Sequence, residues 1–182
     1  ILDGAASGDI EVVYLLGADE IDTSKLANSF IIYQGHHGDA GAHVADVILP
    51  GAAYTEKDGT YANTEGRVQR GRRATVPPGD AREDWTIIRA LSEVVGKTLP
   101  YNNLGAVRAR MAVMAPVLDS IDMVETADWA AFKTAGPMGD APFTSPISNF
   151  YMTDPISRAS ATMAACTETF VNIGSEKTGT DG

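Results

Sequence analysis

The sequence contains very little cysteine: Cys166 is the only one among 182 residues. A single thiol excludes an internal disulfide framework and is typical of a reducing compartment such as the cytosol or the mitochondrial matrix. It also excludes an iron–sulfur cluster held by this chain alone, because such clusters usually need about four thiolate ligands.

Long apolar runs and an excess of positive charge are also missing. No stretch approaches the roughly 20 consecutive apolar residues that span a bilayer, so we expect no direct membrane span. The 14 basic residues are outnumbered by 24 acidic ones, which gives a net charge of −10. Because an acidic surface repels phosphate backbones, we expect no nucleic-acid partner.

The first residues carry no start or export signal. The sequence opens on Ile1 rather than Met, and residues 1–10 lack the charged and apolar segments of a signal peptide. We therefore expect a segment of a longer product or a processed chain, with an incomplete fold.

Short apolar runs at residues 11–17, 30–33 and 44–49 predict three strands, and residues 22–28 predict a short helix between the first two. Each run stops near a glycine or proline, and such runs are typical of a parallel sheet buried on both faces. Complete sheets have about five or six strands. The sequence therefore predicts a partial α/β sheet, completed by an N-terminal portion or by a separate chain.

The segment after the third strand shows no hydrophobic periodicity until the first of two predicted helices begins. Residues 51–78 predict an irregular surface excursion with a short strand near residues 60–62. A helix is predicted at 80–96, with Asp80 and Glu83 as a capping box and Gly96 as a left-handed cap, and a second at 103–118. Residues spaced at helical period predict core-facing stripes: Trp85, Ile88, Leu91 and Val95, then Leu104, Val107, Met111, Met114 and Leu118.

The C-terminal third is polar and interrupted by proline and glycine. We predict an extended arm and a helix at residues 156–170, with Tyr151 and Met152 able to dock into a neighbouring subunit. The predicted units are an α/β domain at 1–118, the arm and helix at 119–173, and a disordered tail at 174–182.

Several motifs carry a specific resemblance over about residues 12–166. They are residues 33–39 (Tyr-Gln-Gly-His-His-Gly-Asp), 45–51 (Ala-Asp-Val-Ile-Leu-Pro-Gly), 54–57 (Tyr-Thr-Glu-Lys), 59–67 (Gly-Thr-Tyr-Ala-Asn-Thr-Glu-Gly-Arg), 78–85, 150–154 and 156–160. In this order and spacing they resemble the 75 kDa iron–sulfur subunits of mitochondrial respiratory complex I. The second and fourth motifs are shared with the broader molybdopterin oxidoreductase superfamily, which includes formate dehydrogenases.

This resemblance implies a fold, a location and a role. The fold would be a partial doubly wound parallel sheet of the molybdopterin-oxidoreductase type, with irregular loops and C-terminal helices. The location would be the peripheral arm, on the matrix side of the mitochondrial inner membrane. The partners would be other arm subunits and the N-terminal iron–sulfur portion of the same subunit. This chain would hold no cofactor and would scaffold a complex that transfers electrons from NADH to ubiquinone, coupled to proton pumping.

Two alternatives remain open at this point. The chain could be a fragment of an active molybdopterin-dependent oxidoreductase such as a formate dehydrogenase, which stoichiometric molybdenum or tungsten would reveal. It could also be an independent binding module, which would fold by itself and unfold cooperatively.

Histidines near the second strand are candidate metal ligands. His36, His37 and His43 lie close in sequence to Asp39 and Asp46. Adjacent histidines usually point in different directions, and no third ligand stands at a firm spacing. We favour hydrogen-bonded loop histidines at the carboxyl end of a strand, where open α/β sheets bind ligands. No metal-binding residue is predicted.

Four arginines lie within residues 67–73: Arg67, Arg70, Arg72 and Arg73. Guanidinium groups bind phosphate and carboxylate bidentately, so a cofactor phosphate is one interpretation. Gly66 stands where many pterin enzymes have a charged residue, which argues against a cofactor. We favour an interface or solvated patch that pairs with acidic subunits.

Several side chains are of types that can act as catalysts, but their spacing defines no catalytic set. A nucleophile needs a base within hydrogen-bond reach, and the base needs an orienting partner. No spacing among the candidates provides such a set, so no catalytic and no cofactor-binding residue is predicted. The candidates considered are Asp46, Glu56, Glu65, Ser157 and Cys166.

Overall fold

The computed structural model describes residues 1–126, 128–130, 134 and 136–172. The chain divides into two compact units: Ile1–His36 with Ala40–Ala127, and His37–Asp39 with Asp128–Gly182. The predicted boundaries after residues 118 and 173 stay predictions, and the predicted disordered tail lies outside the described residues. Within these ranges, none of the helices is long and apolar enough to cross a membrane.

A three-stranded parallel sheet forms the centre of the first unit. Its strands are β1 (Val12–Leu16), β2 (Phe30–Gly35) and β3 (Val47–Pro50), with β2 in the middle. The three predicted strands and the mixed α/β class are therefore confirmed. β3 begins later than the predicted residue 44 because a short helix, α2 (Ala40–His43), and the turn that follows it use the preceding residues.

One face of this sheet is covered by short helices. These are α1 (Leu2–Ser7), a 3-10 helix at Thr23–Leu26, and α2. The 3-10 helix replaces the longer helix predicted at residues 22–28, and the Asp22 side chain caps it by accepting from the Ser24 amide. The covered face and its helices bury one apolar cluster, consisting of Ala5, Val13, Leu15, Leu26, Ile31 and Tyr33.

The opposite face of the sheet is largely open in this chain. Side chains alternate between the two faces of a strand, so the neighbours of the buried residues point the other way. Val12, Leu16 and Phe30 are 56%, 55% and 47% exposed. The prediction that the strands are buried on both faces is wrong for this chain, because no described helix of the first unit packs over these three residues.

The irregular segment after β3 contains an antiparallel ribbon. The strand predicted near residues 60–62 is confirmed as β4 (Gly59–Ala62), and it pairs with β5 (Val68–Gly71). The turn between them includes Gly66, whose φ of +89° favours glycine. β5 was missing from the predicted elements because Val68 is its only buried residue, so it shows no apolar alternation.

The first long helix, α3 (Asp84–Val94), starts four residues later than the predicted residue 80. The predicted capping box of Asp80 and Glu83 is wrong, because Glu83 itself is the N-cap and accepts from the Trp85 indole N–H at 2.8 Å. The preceding Arg82 is extended and exchanges backbone hydrogen bonds with the strand end at Pro50–Ala52. Gly96 has a φ of +72°, as predicted for the position after the helix.

The second long helix is α4 (Leu104–Met114), capped by the Asn103 side chain on the Ala106 amide at 2.9 Å. It ends before residue 118 because Pro116 starts a separate 3-10 helix, Pro116–Asp119. None of its residues is buried, and Met114 is 70% exposed. The other residues of the predicted stripe, Leu104, Val107, Met111 and Leu118, are half-buried.

The second unit contains a 3-10 helix at Phe150–Met152, α5 (Pro155–Arg158) and α6 (Ala161–Phe170). The single helix predicted at residues 156–170 is wrong, because the Ser160 hydroxyl accepts from the Met163 amide and starts a new helix. Tyr151, predicted to dock elsewhere, packs 6.1 Å from the Phe170 ring within this unit.

Candidate functional site

A polar cluster lies at the carboxyl end of the parallel sheet. It consists of Tyr14 on β1, Gln34 on β2, Lys57 in the loop after β3 and Asp84 in the first turn of α3. The carboxyl ends of parallel strands are where open α/β sheets bind ligands. The cluster is therefore the candidate functional site of the first unit.

One chain of hydrogen bonds joins the four side chains. Gln34 is fully buried, and its amide nitrogen donates to Asp84 Oδ1 at 2.8 Å. Its amide oxygen accepts from the Tyr14 hydroxyl, and Lys57 Nζ donates to the second oxygen of Asp84. Both ends of the Gln34 amide are thus satisfied, which orients it uniquely.

The electrostatics of the cluster favour a neutral phenol. Burial, and then the negative charge of Asp84, raise the pKa of Tyr14 above its ordinary value. Tyr14 is consequently a hydrogen-bond donor at neutral pH and not a base.

A crevice of about 240 Å³ opens beside the cluster. Its polar side chains are already paired: Lys57 with Asp84, and Asp84 with Gln34. The arrangement can bind and orient a small molecule beside the Lys57–Asp84 ion pair. The lining residues are Leu16, Gly17, Gln34, Gly35, His36, Ala52, Lys57 and Asp84.

The residues around this crevice do not fit a pterin cofactor. The space of about 240 Å³ lies below the roughly 300–1,000 Å³ typical of pockets for drug-sized ligands, and a pterin nucleotide is at least that large. The cation in the lining, Lys57, is paired with Asp84, which lines the same crevice. This crevice by itself is therefore too small for a pterin nucleotide.

The candidate histidines and aspartates have different surroundings. His36 lines the crevice, and His43 ends α2. Asp46 accepts from the Ile31 amide of β2 at 2.7 Å. Among the residues that the structure describes, no group of three or more histidine, cysteine or acidic side chains is placed to hold a metal ion.

Asp39 has a structural partner within the second unit. Its carboxylate accepts from Arg158 Nε on α5, and Arg158 also donates to the Met152 carbonyl at 3.3 Å. The two groups of the ion pair are about one quarter exposed or less. This contact holds residues 37–39 to the helices of the second unit.

Most of the residues considered as catalysts are used in local contacts. Glu56 accepts from the Ala53 amide at 2.9 Å, and Glu65 pairs with Arg67 at 2.6 Å. Ser157 donates to Asp154 at 2.6 Å, and Cys166 lies half-buried on α6. The structure thus gives each of the first three a structural task, and the absence of catalytic residues stays a prediction.

Sequence reasoning missed the polar cluster, although one signal was present. Gln34 is a polar residue that extends the apolar run of β2, and a buried amide in such a strand requires partners. Its partners come from β1 and from the start of α3, 20 and 50 residues away in sequence. Those pairings depend on tertiary structure and have no spacing that a sequence would reveal.

Comparison with known proteins identifies the class of protein. Residues 2–94 match the molybdopterin oxidoreductase family model, and residues 121–166 match that of the C-terminal part of the NADH-ubiquinone oxidoreductase G subunit. The chain belongs to the molybdopterin oxidoreductase family.

Within this family the chain is similar to a particular kind of subunit. It is 52% identical over 169 residues to the mitochondrial NADH-ubiquinone oxidoreductase 78 kDa subunit of Candida albicans, with 87% of this chain and 24% of that protein covered. It is 49% identical over 158 residues to the mitochondrial NADH dehydrogenase [ubiquinone] iron-sulfur protein 1 of Solanum tuberosum, with 85% and 21% covered.

A third relative extends this likeness. The NADH-ubiquinone oxidoreductase 75 kDa subunit of Reclinomonas americana is 48% identical over 163 residues, with 87% of this chain and 23% of that protein covered. The resemblance to the complex I 75 kDa subunits is therefore confirmed. The chain spans about a quarter of the length of the curated relatives that it matches.

Proposed function

We propose that this chain is a non-catalytic structural segment of the large iron–sulfur subunit in the peripheral arm of respiratory complex I. In this role it braces the region that carries the cluster chain, while electrons pass from NADH towards ubiquinone elsewhere. The chain would hold no cofactor of its own. The open apolar face of the parallel sheet is the observation that carries the proposal.

The open face supports completion by further polypeptide. Parallel sheets are normally covered on both faces, and Val12, Leu16 and Phe30 form an apolar surface that water solvates poorly. The relatives are about four times as long as this chain, so polypeptide is available in them to cover the surface. The finer fold that we propose is a doubly wound sheet, with the second helical layer supplied outside these residues.

The names of two relatives support the proposed location. Those of Candida albicans and Solanum tuberosum are both named as mitochondrial proteins. Within the mitochondrion we propose the matrix side of the inner membrane for this chain. Its partners there would be other peripheral-arm subunits and the N-terminal iron–sulfur portion of the same subunit.

Affinity purification from the source organism tests this proposal. The chain would be tagged, extracted in mild detergent, separated on native gels and identified with its companions by mass spectrometry. We expect co-migration with a large complex that oxidises NADH. Recovery as a small species without such companions would contradict the proposal.

A matched pair of variants tests the part played by the open face. Val12→Asp places a charge on the open face, whereas Val113→Asp makes the same change at a 72% exposed position of α4. We expect Val12→Asp to lose the companions and Val113→Asp to keep them. Equal recovery of companions by both variants would remove the open face from the argument.

The match of residues 2–94 to molybdopterin oxidoreductases favours one other candidate, a fragment of an active molybdopterin-dependent oxidoreductase. Metal analysis of the material purified from the source organism separates the two. Stoichiometric molybdenum or tungsten that stays with the chain through purification would overturn the structural role. The poor fit of the crevice to a pterin leads us to expect neither metal.

A further inference from the structure

Three arginines line a pocket between the β4–β5 ribbon and α4. Arg70 and Arg72 come from β5 and the residue that follows its end, and Arg108 comes from α4. Asp58, which precedes β4, and Gly71 complete the lining of a cavity of about 310 Å³. All five residues belong to the first unit. Sequence reasoning grouped Arg70 and Arg72 with Arg67 and Arg73, but the structure groups them with Arg108.

The other two arginines of the 67–73 cluster do not line this pocket. Arg67 donates to the Asp122 carbonyl at 2.6 Å and pairs with Glu65. Arg73 pairs with Glu83 at 4.0 Å. Their positive charge is therefore used in holding the ribbon to its surroundings.

The pocket arginines are incompletely paired. The Nε of Arg108 is buried and has no hydrogen-bond partner in the part of the chain that the structure describes. Arg72 makes no ion pair with a described residue. Arg70 pairs with Asp119 at 3.0 Å, and that carboxylate is 62% exposed and outside the lining. A buried donor without an acceptor costs free energy, so an acceptor brought into the pocket would be stabilising.

The charge of the lining selects an anion. Three guanidinium groups face one carboxylate, which gives the lining a net charge of +2 in a chain whose net charge is −10. Asp58 is partly occupied, because its Oδ1 accepts from the Arg73 amide at 3.1 Å. A concave concentration of one charge sign on a surface of the opposite sign raises the local concentration of its counter-ion.

The number of donors favours phosphate over carboxylate. One guanidinium fork is enough for a planar carboxylate, whereas a tetrahedral phosphate presents oxygens in several directions. Arginines on two different elements, a strand end and a helix, approach from different sides. A volume of about 310 Å³ also exceeds the space that one phosphate group occupies, and it reaches the lower end of typical small-molecule pockets.

We propose that Arg70, Arg72 and Arg108 form a binding site for the phosphate group of a small phosphorylated molecule. Arg108 would donate from its buried Nε, and Arg72 would supply a second guanidinium. Arg70 would turn from the exposed Asp119 towards the ligand. This site is separate from the Tyr14–Gln34–Asp84 cluster and does not depend on the proposed role in complex I.

Equilibrium dialysis with radiolabelled inorganic phosphate tests the site. The chain would be used as purified from its source organism, with the companions that it retains. Arg108→Gln removes a pocket guanidinium, and Arg110→Gln is the matched control, because Arg110 is exposed on the same helix and outside the lining. We expect one phosphate equivalent per chain to be bound at least about tenfold more weakly in Arg108→Gln, since charged hydrogen bonds contribute that much. Arg110→Gln should stay within about twofold of the wild type, because it makes no direct contact.

Asp58→Asn provides a change of opposite sign. It removes the single negative charge of the lining while keeping an oxygen that can accept from the Arg73 amide. We expect phosphate to bind several-fold more tightly to this variant. Each of the three variants can be checked for an unchanged circular dichroism spectrum, so that a loss of binding is not a loss of fold.

Three outcomes would overturn the proposal. The first is the absence of a saturable phosphate equivalent in the wild type. The second is an equal loss in Arg108→Gln and Arg110→Gln, which would reflect net charge alone. The third combines two observations: phosphate binds only after the companion proteins are removed, and Arg108→Gln loses one of those companions. That result would assign the pocket to a carboxylate of a neighbouring protein.

Discussion

The two faces of the parallel sheet differ sharply although the same strands build them. Leu15 and Leu16 are adjacent residues of the same type on β1, and they are 4% and 55% exposed. Leu15 packs into the cluster covered by α1, α2 and the 3-10 helix, whereas Leu16 lines the crevice on the other face. The difference lies in the layer above each side chain and not in the side chain itself.

This difference teaches how the apolar pattern of the strands should be interpreted. A strand that faces water on one side alternates apolar and polar residues, but β1 is apolar throughout (Val-Val-Tyr-Leu-Leu). Such a strand is suited to two covering layers. The described residues of the first unit supply one of them, over the face that carries Val13 and Leu15.

The largest expected effect tests the comparison directly, through Leu15→Ala and Leu16→Ala. Leu15→Ala should lower the free energy of unfolding by about 2–5 kcal/mol, because it leaves a cavity among packed side chains. Leu16→Ala should cost less, about 1 kcal/mol, because more than half of its surface is already exposed. Urea denaturation followed by circular dichroism measures both. Equal costs would mean that the open face is covered in solution.

The strands could be predicted because short apolar runs bounded by glycine or proline report burial locally. The start of α3 could not be predicted, because Arg82 lies inside the predicted capping box but instead pairs through its backbone with Pro50 and Ala52. β5 was missed for a related reason, since Val68 is its only apolar residue other than glycine and the strand is recognisable only by its pairing with β4. Long-range backbone pairing decided both cases.

The polar cluster and the arginine pocket were likewise only partly predictable from the sequence. The sequence could reveal Gln34 as a polar residue at the end of an apolar strand and could reveal four clustered arginines. It could not reveal Asp84 or Arg108 as their partners, because helices α3 and α4 bring these side chains in from elsewhere in the fold. Residue types were therefore predictable, whereas the groups that they form depend on packing.

A second prediction concerns the close contact between α2 and the covered face of the sheet. A Cβ added at Gly41 on α2 would lie 2.8 Å from the Tyr33 ring and 2.9 Å from the Ala18 carbonyl oxygen. Gly41→Ala should therefore destabilise the chain by about 1–3 kcal/mol through overpacking. Gly38→Ala is the matched control, because a Cβ there meets nothing within 4 Å. Thermal unfolding of the two variants measures the difference, and a neutral Gly41→Ala would show that the covering helix shifts easily.

The polar end of the open face makes a third prediction. Gln34→Leu preserves volume but leaves the Tyr14 hydroxyl and one Asp84 oxygen without their partner. We expect a loss of about 1–3 kcal/mol in the free energy of unfolding. Gln69→Leu, the same change at an exposed position of β5, should stay within about 0.5 kcal/mol. A loss of similar size in both variants, measured by urea denaturation, would contradict the special role of the buried amide.

The smallest expected effect is a pH dependence at the same end of the open face. The pKa of Tyr14 is raised in the folded chain, first by burial and then by the charge of Asp84. A group whose folded pKa is raised stabilises the fold fully below its unfolded pKa. That contribution is lost as the pH rises from the ordinary tyrosine pKa of 10.0 through the higher folded pKa. Alkaline stability should therefore fall less steeply in Tyr14→Phe than in the wild type.

Asp84→Asn separates the two causes of the Tyr14 shift. Removing the carboxylate should lower the Tyr14 pKa, but the value should remain above 10.0 because burial, the larger cause, is kept. The pKa can be followed as the difference in phenolate absorbance between each protein and its Tyr14→Phe counterpart. A Tyr14 pKa that does not move in Asp84→Asn would mean that the charge of Asp84 is not felt across Gln34. In that case the polar cluster would be a set of packed neighbours rather than an electrostatically connected group, and the open face would differ from the covered one only in its lack of a second layer.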